Sequence, residues 1–148
     1  MDAKYLDISS VKGSCFRLES YRSFGTVSSV HSSTLRCYFI RKCEFVTPNP
    51  TKEQFQDIRL VSDKSFLEKA AANTLEVYQN IMKQVLIRNG SVIEMLDVQG
   101  SREKRLVVGF KQGTTQTFFS AMSDLYHFYD LYTTRKYVGN LAISLLFV

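Results

Sequence analysis

The chain has 148 residues, 45% of them hydrophobic, 13% aromatic and 22% charged, with 7 glycines, 2 prolines and no tryptophan. These fractions match an average globular domain and exclude collagen-like, low-complexity and intrinsically disordered classes. Lys and Arg number 19 against 14 Asp and Glu, a net charge of +5, which suits an acidic partner or keeps a small domain soluble.

The length predicts a single domain over residues 1–148, large enough to need no metal or disulfide staple. Cys15, Cys37 and Cys43 are an odd count without repeated spacing, so no disulfide framework is expected. They read as small buried hydrophobes in a reducing compartment. Met1-Asp2-Ala3-Lys4-Tyr5 lacks the pattern of a signal peptide, and the apolar stretch Leu141 to Val148 is too short to span a bilayer. A cytoplasmic or nuclear protein is therefore expected.

Along the chain, Phe16 and Leu18 alternate with charged residues as in a strand, and Tyr21 to Val30 reads as a second strand with a bulge at Gly25. In the third, Leu35, Cys37, Phe39, Cys43 and Phe45 fall on one apolar face, with Arg36, Tyr38, Ile40, Lys42 and Glu44 on the other. Pro48 and Pro50 stop that strand. Thr51-Lys52-Glu53-Gln54 has capping-box spacing and predicts a short helix. Ser65-Phe66-Leu67-Glu68 predicts a longer one, whose inward face is Leu67, Ala71, Leu75, Tyr78, Met82 and Val85 and whose left-handed stop is Asn89-Gly90.

Strands Val92 to Val98 and Lys104 to Lys111 form a hairpin across Gln99–Glu103. A third helix opens near Gly113-Thr114, with Phe118, Met122, Leu125, Tyr129 and Tyr132 as its core stripe. A buried last strand alternates Leu141, Ile143, Leu145 and Phe147. The order β-β-β-α-α-β-β-α-β predicts an α+β fold: a mostly antiparallel sheet of about six strands with two main helices packed on it. The expected core is Leu75, Tyr78, Met82, Phe118, Met122, Leu125, Leu141, Ile143 and Leu145.

Catalytic signals are sparse. The seven glycines fall in no phosphate-cradling spacing, and with only His31 and His127 a zinc site would need an unusual ligand set. The cysteines on the apolar strand face are poor nucleophiles, His127 among aromatics reads as a structural histidine, and Asp124 and Asp130 read as solvated. No catalytic residue, metal or cofactor is expected, and the chain reads as not an enzyme.

Two binding surfaces remain. Aromatics in excess of one helical stripe, with an apolar C-terminal strand, predict a partner-binding surface of Phe119, Tyr126, Phe128 and Phe147, rimmed by Arg135 and Lys136. Arg36, Tyr38 and Lys42, with Arg17 and Arg22 beside them, interleave basic and aromatic groups as single-strand-binding sheets do. The expected function is thus a non-enzymatic protein-interaction module, a complex subunit, assembly factor or self-associating protein. The alternative is a small basic RNA- or single-stranded-DNA-binding protein.

Overall fold

The computed structural model describes residues 15–24, 34–88, 90–111, 117–131, 133–142 and 145–147. The chain divides into two compact units, one of residues 1–42 and 116–138, the other of residues 43–115 and 139–148.

In the first unit, β1 (Phe16–Phe24) pairs antiparallel with β2 (Thr34–Lys42) in an unbroken register from Phe16↔Lys42 to Phe24↔Thr34. On its other side β1 pairs with the first four residues of β5 (Arg135–Leu141), Leu18 facing Val138 and Tyr21 facing Arg135. The two strands expected between Phe16 and Val30 are thus one, and the expected bulge at Gly25 lies outside the described residues. Arg17, Leu18, Glu19 and Ser20 are all buried, so β1 is covered on both faces, as a central strand is.

The apolar face expected of β2 is corrected. Leu35 is 62% exposed, Phe39 49% and Cys37 exposed, while Tyr38 on the opposite face is 40% exposed. Among the described residues β2 pairs only with β1, and an edge strand presents both faces and one row of backbone to its surroundings. Cys37 is therefore not the buried hydrophobe that alternation suggested.

Helix α4 (Phe118–Phe128) also belongs to this unit. Phe118, Met122 and Tyr126 lie on its half-buried side, whereas Leu125 is 50% exposed and Tyr129, just past the helix, 64%. The expected core stripe is rotated: Tyr126 turns inward and Leu125 outward. The helix stops in a two-bond cap, Leu131 N–H donating to Tyr126 C=O (2.8 Å) and Asp130 N–H to His127 C=O (3.2 Å). Asp130 takes the left-handed position (φ 55°) usually held by glycine, a conformation its short polar side chain tolerates. His127 is exposed, not a satisfied core histidine.

The second unit packs helices on a sheet ordered β5-β6-β4-β3. The strands are the last three residues of β5, β6 (Leu145–Phe147), β4 (Lys104–Lys111) and β3 (Val92–Asp97), all antiparallel. The expected last strand is two strands, because the chain turns at Ala142 and returns along β5, Leu141 facing Leu145. Between β3 and β4, Gly100 adopts φ +76°, which closes the hairpin at little steric cost.

A 3-10 turn (Gln54–Gln56) precedes α1 (Ile58–Val61), and Thr51 N–H donates to Gln54 Oε1 (2.9 Å), half of the expected capping box. The next expected helix is divided into α2 (Lys64–Lys69) and α3 (Ala72–Ile87), with Ala70 and Ala71 extended between them. Alanine favours helix, so packing overrides propensity here. In one continuous helix Phe66 and Tyr78 would stand about 18 Å apart along the axis; the break lets their rings meet at 5.2 Å. The cap of α2 is Asp63, two residues before the expected Ser65. Its buried carboxylate accepts from Phe66 N–H (3.3 Å), Glu44 N–H (2.7 Å) and the Ser65 hydroxyl. At the far end α3 closes on Arg88; Asn89 lies outside the described residues, and Gly90 is not left-handed.

The core of this unit joins Tyr78, Ile81, Met82 and Val85 of α3 to Ile58 and Val61 of α1 and to Val92, Val107 and Leu141 of the sheet. Of the expected core, Tyr78, Met82 and Leu141 are buried, Leu75, Phe118 and Met122 half-buried and Leu125 exposed; the side chains of Ile143 and Leu145 lie outside the described residues. The α+β class with antiparallel pairing stands. Met82→Ala should destabilise by about 2–5 kcal/mol, read as a lower denaturation midpoint. Ile87→Ala, five residues on but 85% exposed, should change it by less than about 0.5 kcal/mol.

Candidate functional site

Two polar constellations stand out, one in each unit. In the first, the strand pleat puts Arg17, Glu19 and Tyr21 on one face of β1. Arg17 Nε lies 3.2 Å from Glu19 Oε1, with side chains 5% and 11% exposed. The Tyr21 hydroxyl donates to Glu19 Oε2 (2.7 Å), and Arg135 Nη2 donates to that hydroxyl at 3.4 Å with its guanidinium 5.2 Å from the ring centroid. Phe39 meets the same ring edge-on at 6.0 Å. Both carboxylate oxygens of Glu19 are engaged, so the group serves as a structural anion rather than a general base.

In the second unit a groove of about 280 Å³ is lined by Asn73, Thr74 and Val77 of α3, by Leu96 to Gln99 at the end of β3, and by Arg105 of β4. Lys104 pairs with Asp97 at its rim. Burial raises the Tyr78 phenol, with Arg105 nearby pulling it back down. Burial alone raises Tyr126 and the Cys15 thiol, which leaves Cys15 a weak nucleophile. The groove falls just short of the roughly 300–1,000 Å³ of small-molecule sites.

Of the five residues read as a nucleic-acid face, register places Arg22, Arg36, Tyr38 and Lys42 on one side of the β1–β2 ribbon and Arg17 on the other. Arg17 is buried against Glu19, and Arg36 is spent on Thr133, donating to its carbonyl (3.0 Å) and hydroxyl (3.2 Å). Tyr38 and Lys42 remain exposed. Of the expected partner surface, Phe128 is 79% exposed and in edge-on contact with Tyr129, Arg135 is exposed, and Tyr126 and Lys136 are half-buried. The side chains of Phe119 and Phe147 lie outside the described residues.

Comparison with known proteins decides the family. Residues 1–146 match the family model described as NAD-specific glutamate dehydrogenase, second domain. The chain belongs to that family. It is similar to the NAD-specific glutamate dehydrogenase of Neurospora crassa (42% identical over 93% of this chain) and to the probable NAD-specific glutamate dehydrogenase of Schizosaccharomyces pombe (41% over 93%). It also resembles glutamate dehydrogenase 2 of Dictyostelium discoideum (35% over 83%). The chain spans 13% of the length of each of these relatives. No solved structure matches it.

This membership overturns the expectation of a non-enzymatic interaction module and that of a nucleic-acid-binding protein: the relatives that carry this domain are named as enzymes. No signal in the chain itself pointed there, because a domain is read from its own residues while the name belongs to polypeptides several times longer. Among the described residues no helix is long and apolar enough to cross a membrane.

The described residues do not fit NAD. A dinucleotide is gripped where a parallel strand turns through glycines into a helix N-terminus. Every strand pair here is antiparallel, and α3 is entered through Ala70-Ala71.

Two outcomes follow from the buried groups. Arg17→Met should cost about 3–5 kcal/mol by removing the guanidinium that pairs with the buried Glu19 carboxylate, and adding Glu19→Leu should return much of that loss; denaturation midpoints of the single and double variants decide it. The raised phenols of Tyr78 and Tyr126 hold their protons longer folded than unfolded. Their contribution is complete below the unfolded phenol value of about 10 and fades as pH rises through the folded one. Stability should therefore fall above about pH 10, less steeply in Tyr78→Phe/Tyr126→Phe, as denaturant titrations across that range would show.

Proposed function

We propose that this chain is one domain of a large polypeptide that dehydrogenates glutamate with NAD as hydride acceptor, and that other parts of that polypeptide hold the dinucleotide. The observation that carries this reading is the match of residues 1–146 to the second domain of NAD-specific glutamate dehydrogenases. The antiparallel pairing around the α3 groove supports placing the cofactor elsewhere.

In this reading the domain's work is architectural. Leu125, Phe128, Tyr129 and Leu131 are each at least half exposed around the end of α4, more apolar surface than an isolated domain gains from showing to water. Phe128, with Tyr126, Arg135 and Lys136 of the same unit as the further candidates, then packs on the remainder of the enzyme.

The full-length polypeptide should reduce NAD in the presence of glutamate, more slowly with NADP in its place. Phe128→Asp should inactivate at a lower temperature. NADH formation followed spectroscopically tests both, and a full-length protein with no glutamate-dependent reduction of NAD would overturn the reading.

A further inference from the structure

Among the described residues the first unit's sheet ends at β2. β2 runs nine residues, Thr34-Leu35-Arg36-Cys37-Tyr38-Phe39-Ile40-Arg41-Lys42, with no proline and an unbroken register to β1. Natural edge strands are guarded by short length, proline, bulges or charged side chains, because their unpaired N–H and C=O groups invite another strand. β2 lacks the first three and carries only charged side chains, Arg36, Arg41 and Lys42. Leu35, Tyr38 and Phe39 are 62%, 40% and 49% exposed, so apolar side chains flank on both faces a backbone edge that no other described strand pairs.

Charge tells what can lie there. β2 carries Arg36, Arg41 and Lys42 and no carboxylate. Arg36 is turned to Thr133, whereas Arg41 and Lys42 are exposed and, being adjacent on a strand, project to opposite faces. A second copy of the chain would bring three more cations onto the same ribbon. A strand with carboxylates on both faces near Arg41 and Lys42, and apolar residues beside Leu35 to Phe39, complements the edge in charge and in surface.

We infer that β2 accepts an extended acidic segment of the same polypeptide, lying outside these 148 residues, as an added strand. The inference rests on the reading of the chain as one domain of a larger enzyme; the relatives, of whose length it spans 13%, have ample chain to supply such a segment. The added strand closes the open ladder, and its carboxylates set the register against Arg41 and Lys42.

Residue-resolved hydrogen exchange on the full-length polypeptide, with neither glutamate nor NAD present, tests this. Along β2 alternate amides point to β1 and the rest point outward. Both sets should exchange slowly, the outward set about 100-fold below the rate of an open strand, and tenfold dilution should not change this. In Arg41→Glu/Lys42→Glu the outward set should speed up by about the same factor while the inward set stays slow, showing that the β1–β2 pairing survives. Arg41→Lys should leave both sets unchanged. Outward amides that exchange freely in the unaltered protein overturn the proposal. Protection lost on dilution assigns the edge to a second copy instead, and protection indifferent to charge reversal excludes an acidic occupant. Because turnover is not measured, these results and those of the dehydrogenase assay fail independently.

Discussion

The second unit depends on one layer of contact: Tyr78, Ile81, Met82 and Val85 of α3 pressed against α1 and the sheet. A polar clamp fixes the approach. The Gln79 side chain accepts from Ile58 N–H (2.8 Å) and donates to Gln56 C=O (2.6 Å), holding the start of α1 and the 3-10 turn against α3. The same face of α3 leaves Asn73, Thr74 and Val77 beside the end of β3, which makes the groove a consequence of core packing. Because α3 ends on this sheet, Lys111 Nζ reaches the carbonyl of Leu86 at 3.5 Å and Gln84 donates to Glu94 at 3.3 Å, satisfying polar groups at the margin of an apolar layer.

The first unit is organised differently, around polar groups buried within β1. Placing Arg17 and Glu19 out of water costs desolvation that their mutual attraction barely repays. What the pair and the bound Tyr21 hydroxyl supply is a fixed arrangement of side chains across β1 and β5. This unit also carries the exposed apolar residues of β2 and the end of α4. The relatives that carry this domain are far longer than this chain, which spans 13% of their length.

Much of the architecture was legible residue by residue. Alternation in Leu106, Val108 and Phe110 and the turn at Gly100 marked the β3–β4 hairpin, and the Tyr78–Met82–Val85 spacing marked the buried face of α3. The break at Ala70-Ala71 was not legible, since local preference there favours helix and only the distant contact of Phe66 with Tyr78 reverses it. Nor was the candidate site. Arg17 and Glu19 looked like an exposed alternating row, because sequence shows the period of a strand but not whether its polar side is covered.

The sequence by itself determined the α+β class, most of the strands and helices and the inward face of α3, because these follow from local periodicity, capping and turn chemistry. Tertiary structure alone decided that β1 is central and β2 an edge, that Tyr126 turns inward while Leu125 does not, and that Arg17 is buried against Glu19. Burial is a property of what lies opposite a residue, and pairing partners far apart in the chain leave no local trace.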